Sequence, residues 1–498
     1  MLYNNNNISL HLQSRATSAR QPYPDNKSML DTSVVIATLV AYKVLLIMIG
    51  LWAQRRVKSE QDFFLAGRQL GPWVAAISYS ASAASAWTLL GMSGLAFTIG
   101  VSAVWVALGA VLGCAFSWWI LAPRIMQIGE SEQLLSATEF IALGTEGRQR
   151  QAIILLVSAV ILFCFVIYIA SQFQGAGTTF SSTFGMSSAQ SIALGGAIIL
   201  AYTLLGGFWA VSVTDTLQGL LMIFTAILLP VAAIIHLGGP VAFWAALAGQ
   251  TTASYMSFTG ASVGLTAVGI IAGSLVIGTS SFGQPHLVAR FMALRNARAL
   301  RQGQIIATTW YAVVFFGMCL VGLAGRVLVA DLDNPEQVFF ALNATLFPSV
   351  MGAVLLAAVL SAIMSTADSM LLVTGTTVAH DLGINERHQL QALTLSRLVI
   401  AVISVLAILV AIYIPATIFQ RVLFAWVAIG SALGPVIVCR ALGVVLPPGR
   451  IFPAIAIGFI AAVVCYLLPN TPGDIAERAL PFILGVITLL VPLPWRSS

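Results

Sequence analysis

The segment VLSAIMSTADSML, residues 359–371, places one carboxylate among four hydroxyl side chains within a long apolar stretch. Four of its polar residues fall at i, i+4, i+7 and i+8, which is one stripe along a helix: Ser361, Ser365, Asp368 and Ser369. Carboxylate, hydroxyl and carbonyl oxygens together suit a small hard cation. A proton is the competing occupant, because a buried carboxyl group favours its neutral form. The structural alternative is that the hydroxyls bond back to their own helix while Asp368 caps it or pairs with an arginine.

A second carboxylate, Asp215 in AVSVTDTLQ, also lies within an apolar stretch. Acidic residues inside a membrane span are costly and usually face a polar cavity or a partner, so we expect a functional role. Enzyme signatures are missing from the sequence, which has no Walker A loop, GxGxxG after a strand, HExxH or GxSxG elbow. We therefore predict that the protein is not an enzyme, binds no cofactor and is not driven by ATP.

The composition predicts an all-α polytopic membrane protein, since 59% of the residues are hydrophobic and 8% are charged. Apolar runs of about 18–25 residues recur, the length that crosses a bilayer as a helix. A barrel would need short alternating strands instead. The net charge of +6 is interpreted as basic residues held at one face of the lipid bilayer, not as nucleic-acid binding. About 13 spans are predicted: 34–53, 72–99, 101–125, 151–173, 188–207, 211–236, 262–283, 304–329, 347–377, 394–414, 417–440, 451–469 and 479–495.

Lysine and arginine concentrate in alternate loops, which predicts N-out and C-in orientation and an odd number of spans. This scheme places Arg290 and His286 at the basic inner edge. Residues 1–33 are predicted to be a disordered tail without a signal peptide, and Met29 is an alternative start to Met1.

Two predicted spans, the second and the seventh, look interrupted. SYSASAASA (78–86) is built almost wholly from small residues, and GSLVIGTSSFG (273–283) combines glycines with Ser and Thr. Such segments can serve close helix packing. Broken helices at matching positions of two five-helix halves instead indicate a transporter binding site, and the matched positions favour this interpretation.

The chain resembles the sodium/solute symporter family, most closely its sodium/proline branch, in five segments: DFFLAGRQLGPWVAAIS (62–78), YTLLGGFWAVSVTDTLQGLLMIF (202–224), FGQPHLVARFMALRNA (282–297), AIMSTADSMLL (362–372) and FAWVAIGSALGP (424–435). The resemblance implies the LeuT-type 5+5 inverted repeat. Residues 34–53 would be an extra first helix, 72–236 the first five-helix repeat, 262–440 the second, inverted repeat, and 451–495 two C-terminal helices.

The resemblance also implies ion-binding roles for matched positions. The main cation site would consist of Ala81, Ala84, Ala362, Ser365 and Thr366. A second cation site, found in some members, would consist of Asp215, Ser365, Asp368 and Ser369. Because Asp368 stands where some of those members carry serine, this site would be more anionic and could prefer a proton.

The solute site departs from the proline branch at two positions, Ala83 in place of an aspartate and Ile277 in place of a tryptophan. Tyr168 and Trp426 match. A half-helix N-terminus could hold a substrate carboxylate through its exposed N–H groups. The predicted solute-binding residues are Ser82, Ser85, Trp87, Tyr168, Gln172, Thr279 and Trp426.

We therefore expect a plasma-membrane (inner-membrane) symporter that couples a cation, sodium foremost, to uptake of a small organic solute, with an amino acid such as proline favoured. Sodium would be a coupling ion and not a cofactor. One alternative is a proton-coupled carrier of an amino or carboxylic acid. Another is a transporter-like sensor that lacks its own output domain.

Overall fold

The computed structural model describes residues 31–54, 60–204, 207–329, 332–383, 392–468 and 471–491. Within these ranges the fold is helical, and β pairing is limited to one parallel bridge between Leu70 and Leu294. The α-helices are α1 (Thr32–Gln54), α2 (Glu60–Leu65), α3 (Pro72–Ala83), α4 (Met92–Ile99), α5 (Val104–Phe116), α6 (Ala122–Ser131), α7 (Ala137–Ala142), α8 (Gly147–Phe184), α9 (Ser188–Thr203), α10 (Phe208–His236), α11 (Pro240–Gln250), α12 (Gly264–Val276), α13 (Pro285–Met292), α14 (Ala297–Leu328), α15 (Val338–Leu346), α16 (Ser349–Thr376), α17 (Ala392–Tyr413), α18 (Ile418–Ala441), α19 (Pro448–Leu467) and α20 (Ile475–Leu490).

The described residues contain 10 helices that are long and apolar enough to cross a membrane. This confirms the all-α polytopic class. The exact number of crossings, predicted as about 13, stays a prediction, as do the N-out and C-in orientation and the bounds of the two repeats. Most of the predicted N-terminal tail, including Met29, lies outside the described residues.

The first predicted interruption is confirmed between α3 and α4. Helix α3 ends at Ala83, Ala84 leaves helical geometry with φ −86° and ψ 70°, and a π-helical turn over Trp87–Gly91 leads into α4. Ser is a weak helix former that competes for backbone hydrogen bonds. Carbonyl groups in the last turn of α3 consequently have no helical partner and must find one elsewhere.

The second predicted interruption is confirmed between α12 and α13. Helix α12 ends at Val276, a 3₁₀ turn covers Ile277–Gly283, and Gln284 is extended with φ −81° and ψ 112°. Pro285 then opens α13, where its missing N–H is one that a first helical turn leaves unbonded in any case. A residue before proline also avoids helical geometry, so the Gln-Pro pair itself defines the end of the break.

The core helices are α16 and α18, each with 83% of an 18-residue apolar segment buried. Helix α1 has 22% of its segment buried and lies at the periphery. Helix α16 packs against both α3 and α10. The polar stripe of residues 361–369 is therefore held inside the protein and faces the first broken helix.

A glycine in the 3₁₀ turn, Gly278, allows the turn to pack directly against the backbone of α5. A Cβ added at Gly278 would lie 2.1 Å from the carbonyl oxygen of Gly109 and 3.0 Å from the Cα of Gly113, both on α5. Small residues allow helices to approach to backbone contact in membranes. The turn is thus fixed against α5 by backbone contact, which only glycine allows at this position.

We expect Gly278→Ala to destabilise the protein by about 1–3 kcal/mol, because the added methyl group has no flexible neighbour to displace. Thermal unfolding in detergent measures the loss. Gly249→Ala is the matched control, since nothing lies within 4 Å of a Cβ at that exposed helical position. Equal melting temperatures for the two variants would contradict the backbone contact.

Candidate cation and solute site

The side chain of Ser365 bridges α16 and the end of α3. Its Oγ donates to the Ala81 carbonyl oxygen at 2.9 Å and lies 3.2 Å from the Ala362 carbonyl oxygen. The Ala81 carbonyl is one of those that the end of α3 leaves without a helical partner. The structure therefore brings three members of the predicted main cation site together as converging oxygens, fully buried.

A second bridge runs beside the first. Thr366 Oγ1 donates to the Ser82 carbonyl oxygen at 2.8 Å. The family resemblance implies Thr366 as a cation ligand but does not include the Ser82 carbonyl. This carbonyl could have been predicted from the sequence, because Ser82 lies in the last turn before a break, where carbonyl groups lack a helical partner. Ala84 lies at the bend itself, with its N–H bonded to the Ser80 carbonyl.

Asp215 on α10 forms a buried ion pair with Arg290 on α13. Its Oδ2 accepts from Arg290 Nη2 at 2.9 Å, from Ser78 Oγ at 2.8 Å and from Ser82 Oγ at 3.0 Å. Arg290 Nη2 also donates to Ser82 Oγ at 2.8 Å and Ser369 Oγ at 2.5 Å. One guanidinium group therefore connects four helices, α3, α10, α13 and α16.

Two positional predictions are wrong at this point. Arg290 is 1% exposed and His286 is 0% exposed, whereas the loop charges predict that both lie at the basic inner edge. The His286 ring packs between Phe165 and Trp426, with ring centroids at 5.7 and 6.5 Å. Counting charges by loop missed them, because α13 follows a broken helix and folds back into the protein interior.

Asp368 lies on α16 and has a hydrogen-bond partner of its own, although its charge interacts with that of Asp215. Its Oδ1 accepts a hydrogen bond from the hydroxyl group of Thr203 on α9, and it interacts electrostatically with Lys43 on α1. Its Oδ2 has no hydrogen-bond partner among the described residues.

The predicted second cation site is therefore divided by the structure. Ser369 Oγ lies 3.5 Å from Asp215 Oδ2, so these two residues meet. Ser365 faces the Ala81 carbonyl and Asp368 faces Thr203. The role of this set in binding a second ion stays a prediction.

Four predicted solute-binding residues meet at the start of the second half-helix. Tyr168 Oη donates to Ser85 Oγ at 3.3 Å, and Gln172 Oε1 accepts from the Ala86 N–H at 3.0 Å. The Tyr168 ring also packs edge-on to Trp426, with centroids at 5.9 Å. The first N–H groups of a helix have no helical partner, and here Gln172 binds one of them.

The other predicted solute-binding residues have different neighbours. Trp87 packs against Phe315 and Phe419, with centroids at 5.3 and 6.0 Å. The Thr279 hydroxyl donates to the Val276 carbonyl oxygen at 2.8 Å, within its own turn. The Ser82 hydroxyl belongs to the Asp215–Arg290 pair.

Polar contacts close the bundle at one end. His380 Nε2 lies 3.2 Å from Glu139 Oε1 on α7, and the Ser136 hydroxyl donates to Asp381 at 2.7 Å. Burial raises the pKa of the Glu139 carboxyl, but hydrogen bonds from His380 and the Leu135 N–H outweigh it and hold the pKa below its usual range. Glu139 is thus a stable anion that ties α7 to the end of the long helix carrying Ser365.

A second set of contacts closes the opposite end of α3–α4. The Glu336 carboxylate accepts from the backbone N–H groups of Ile418 and Phe419, at 3.4 and 3.1 Å. A carboxylate at this position satisfies the first N–H groups of α18 and interacts favourably with its dipole. Three of the predicted solute-binding residues are enclosed, since Ser85, Tyr168 and Gln172 are each 0% exposed.

Comparison with known proteins identifies close sequence relatives. The model of the sodium:solute symporter family matches residues 63–442. The sodium/proline symporter of Escherichia coli (strain K12) is 35% identical over 423 residues, which cover 82% of this chain and 83% of that protein. The osmoregulated proline transporter OpuE of Bacillus subtilis (strain 168) is 32% identical over 413 residues, which cover 81% and 82%.

Solved structures show the same fold at low sequence identity. A Na⁺-coupled sialic acid symporter in a substrate-bound, outward-open state has a TM-score of 0.73 at 19% identity, covering 91% of this chain and 97% of that chain. Mhp1, a nucleobase-cation-symport-1 family transporter in a closed conformation, has a TM-score of 0.55 at 14% identity, covering 86% and 91%. These neighbours confirm the LeuT-type fold.

We expect Arg290→Gln to cost about 3–5 kcal/mol of stability, because it leaves the Asp215 carboxylate buried without its counter-charge. Asp215→Asn should cost a comparable amount, and the double variant should recover most of either loss. Thermal unfolding in detergent measures all three, with Arg298→Gln as the exposed-arginine control. Losses that simply add in the double variant would show that the two groups do not interact.

Proposed function

The chain belongs to the sodium:solute symporter family, and we propose that it couples the inward movement of sodium to the uptake of a small organic solute, with proline favoured. It is a multi-pass transporter of the plasma membrane and not an enzyme. The observation that supports sodium coupling most directly is the convergence of hydroxyl and carbonyl oxygens between the end of α3 and the middle of α16.

These oxygens are all formally uncharged and come from rigid helical positions. Hydroxyl and carbonyl oxygens are the ligands of small hard cations, and two of the hydroxyls already contact the free carbonyls of Ala81 and Ser82. A sodium ion entering here would take over the hydrogen-bonding role of the Ser365 and Thr366 protons. The hydroxyls would then turn their lone pairs to the ion, which would hold α3 and α16 together.

The solute would bind next to the ion, at the start of the second half-helix. A carboxylate fits this position because the Ala86 N–H already binds a side-chain oxygen, Gln172 Oε1, which a carboxylate oxygen could replace. The rings of Tyr168 and Trp426 offer an apolar surface for a small ring or alkyl group. The sodium/proline symporter of Escherichia coli and OpuE of Bacillus subtilis are the relatives that make proline the favoured solute.

Transport would proceed by alternating access. Both sets of end contacts, Glu139–His380 on one side and Glu336 with α18 on the other, are formed together, which describes an occluded arrangement. Opening one set at a time would expose the solute position to one side of the membrane. Coupling requires that sodium and solute favour the same arrangement, so each must raise the affinity for the other.

Uptake into proteoliposomes tests this function. A sodium gradient and a pH gradient are applied separately, with radiolabelled proline as the probe and a panel of amino and carboxylic acids as competitors. We expect uptake of proline that follows the sodium gradient. Uptake that follows the pH gradient alone would instead favour the proton-coupled carrier, and an absence of any gradient-driven uptake of the panel would contradict symport.

We expect Ser365→Ala and Thr366→Val each to weaken apparent sodium affinity about 10-fold, equivalent to ~1.4 kcal/mol for the loss of one oxygen ligand. Sodium dependence of proline uptake is the measurement. Thr374→Val on the same helix is the matched control, because the Thr374 hydroxyl donates to the carbonyl of Leu371 and to no other described residue. Unchanged sodium dependence of uptake in both site variants would show that sodium does not bind at Ser365 and Thr366.

A further inference from the structure

Helix α1 carries Lys43 into the protein beside Asp368, and we propose that the lysine ammonium group takes the place of a second coupling cation there. The protein would consequently move one positive charge with each zwitterionic solute. This inference rests on the proposed sodium symport. It assigns to Lys43 a part in setting the ion stoichiometry.

The position of Lys43 is fixed by the register of α1 along α16. The Asp31 N–H donates to Ser349 Oγ at 2.8 Å where the two helices begin. Further along, the Tyr42 hydroxyl bonds to Ser361. From the first contact to the second, the residue numbers rise along both helices, so α1 runs parallel to α16 and beside its polar stripe.

The ammonium group of Lys43 contacts the sulfur atom of Met364. Met364 and Asp368 are four residues apart on α16, so they share one face, about one turn of 5.4 Å apart. The contact with Met364 therefore places the Lys43 ammonium group about one turn along α16 from Asp368, near enough for the two charges to influence each other. Lys43 is also the only lysine that lies within a predicted span, and a charge at this depth is rarely kept without a partner.

Each of the two carboxylates beside the first break has a cation of the protein nearby. Asp215 is paired with Arg290, and Lys43 lies about one helical turn from Asp368. The main cation site adds only neutral oxygens. A sodium ion there brings one uncompensated charge, and a further ion at Asp368 would bring another into a medium where charges interact strongly.

Removal of the ammonium group should create a cation site at Asp368, which is one member of the second site that the family resemblance implies. Asp368 would keep its bond from Thr203 and have a carboxylate oxygen, Oδ2, that no described residue hydrogen-bonds. An unbalanced carboxylate in the membrane interior attracts a small cation. Lys43→Met removes the charge while retaining a long apolar side chain.

The experiment measures the charge moved per proline molecule, from the membrane potential at which net uptake into proteoliposomes is zero. We expect about one charge for the wild type and for Lys43→Arg, and about two for Lys43→Met, whether the added ion is sodium or a proton. Lys43→Met combined with Asp368→Asn should return to about one. One charge per proline for Lys43→Met would overturn the proposal, as would two charges for the wild type.

A stability measurement keeps the proposal testable should Lys43→Met transport poorly. Thermal unfolding in detergent, without solute, compares Lys43→Met, Asp368→Asn and the double variant. We expect the double variant to unfold at a higher temperature than either single variant, because neither charge is then left alone. Strictly additive losses would overturn the pairing. Absence of sodium-driven uptake by the wild type would contradict the proposed function while leaving this measurement valid.

Discussion

The structure depends on how the backbone C=O and N–H groups of a broken helix find hydrogen-bond partners where no water is available. The break after Ala83 leaves carbonyl groups on one side and N–H groups on the other, each costly if unbonded in the membrane interior. The carbonyls of Ala81 and Ser82 accept from hydroxyls of α16, and the N–H of Ala86 donates to Gln172 of α8. The groups that satisfy the break are therefore the same groups that would bind the proposed cation and the solute carboxylate.

Buried charge places a second constraint on the fold. Arg290 contacts Asp215 and hydroxyls of α3 and α16, so the four helices it connects must move together or break several charge-assisted hydrogen bonds at once. Such bonds are stronger than neutral ones, and an unpaired partner left buried is expensive. Under the proposed alternating access, movement would therefore be easier at the end where the Glu139–His380 contact is partly exposed.

The sequence was sufficient for the parts of this protein that follow from period, length and breakage. It predicted the helical membrane class and both interruptions, whereas the approach of Ser365 and Thr366 to the end of α3 was implied by the family resemblance. It failed for Arg290 and His286. Hydropathy and loop charge assign residues to spans or loops by their position in the sequence, and they cannot show that a helix after a break is buried. It also could not group Asp368 with Thr203 and Lys43, since these come from three separate helices and no motif records their packing.

The proposed coupling between ion and solute would pass through the few residues of the break. The Ser82 carbonyl accepts from Thr366, while the Ser82 hydroxyl contacts both Asp215 and Arg290. A short distance further on, Ser85 contacts Tyr168 and the Ala86 N–H binds Gln172. An ion that orders the end of α3 therefore fixes the start of the next half-helix, where the solute would bind. Ordering by either ligand lowers the entropy that the other must lose, which is the physical basis of reciprocal affinity.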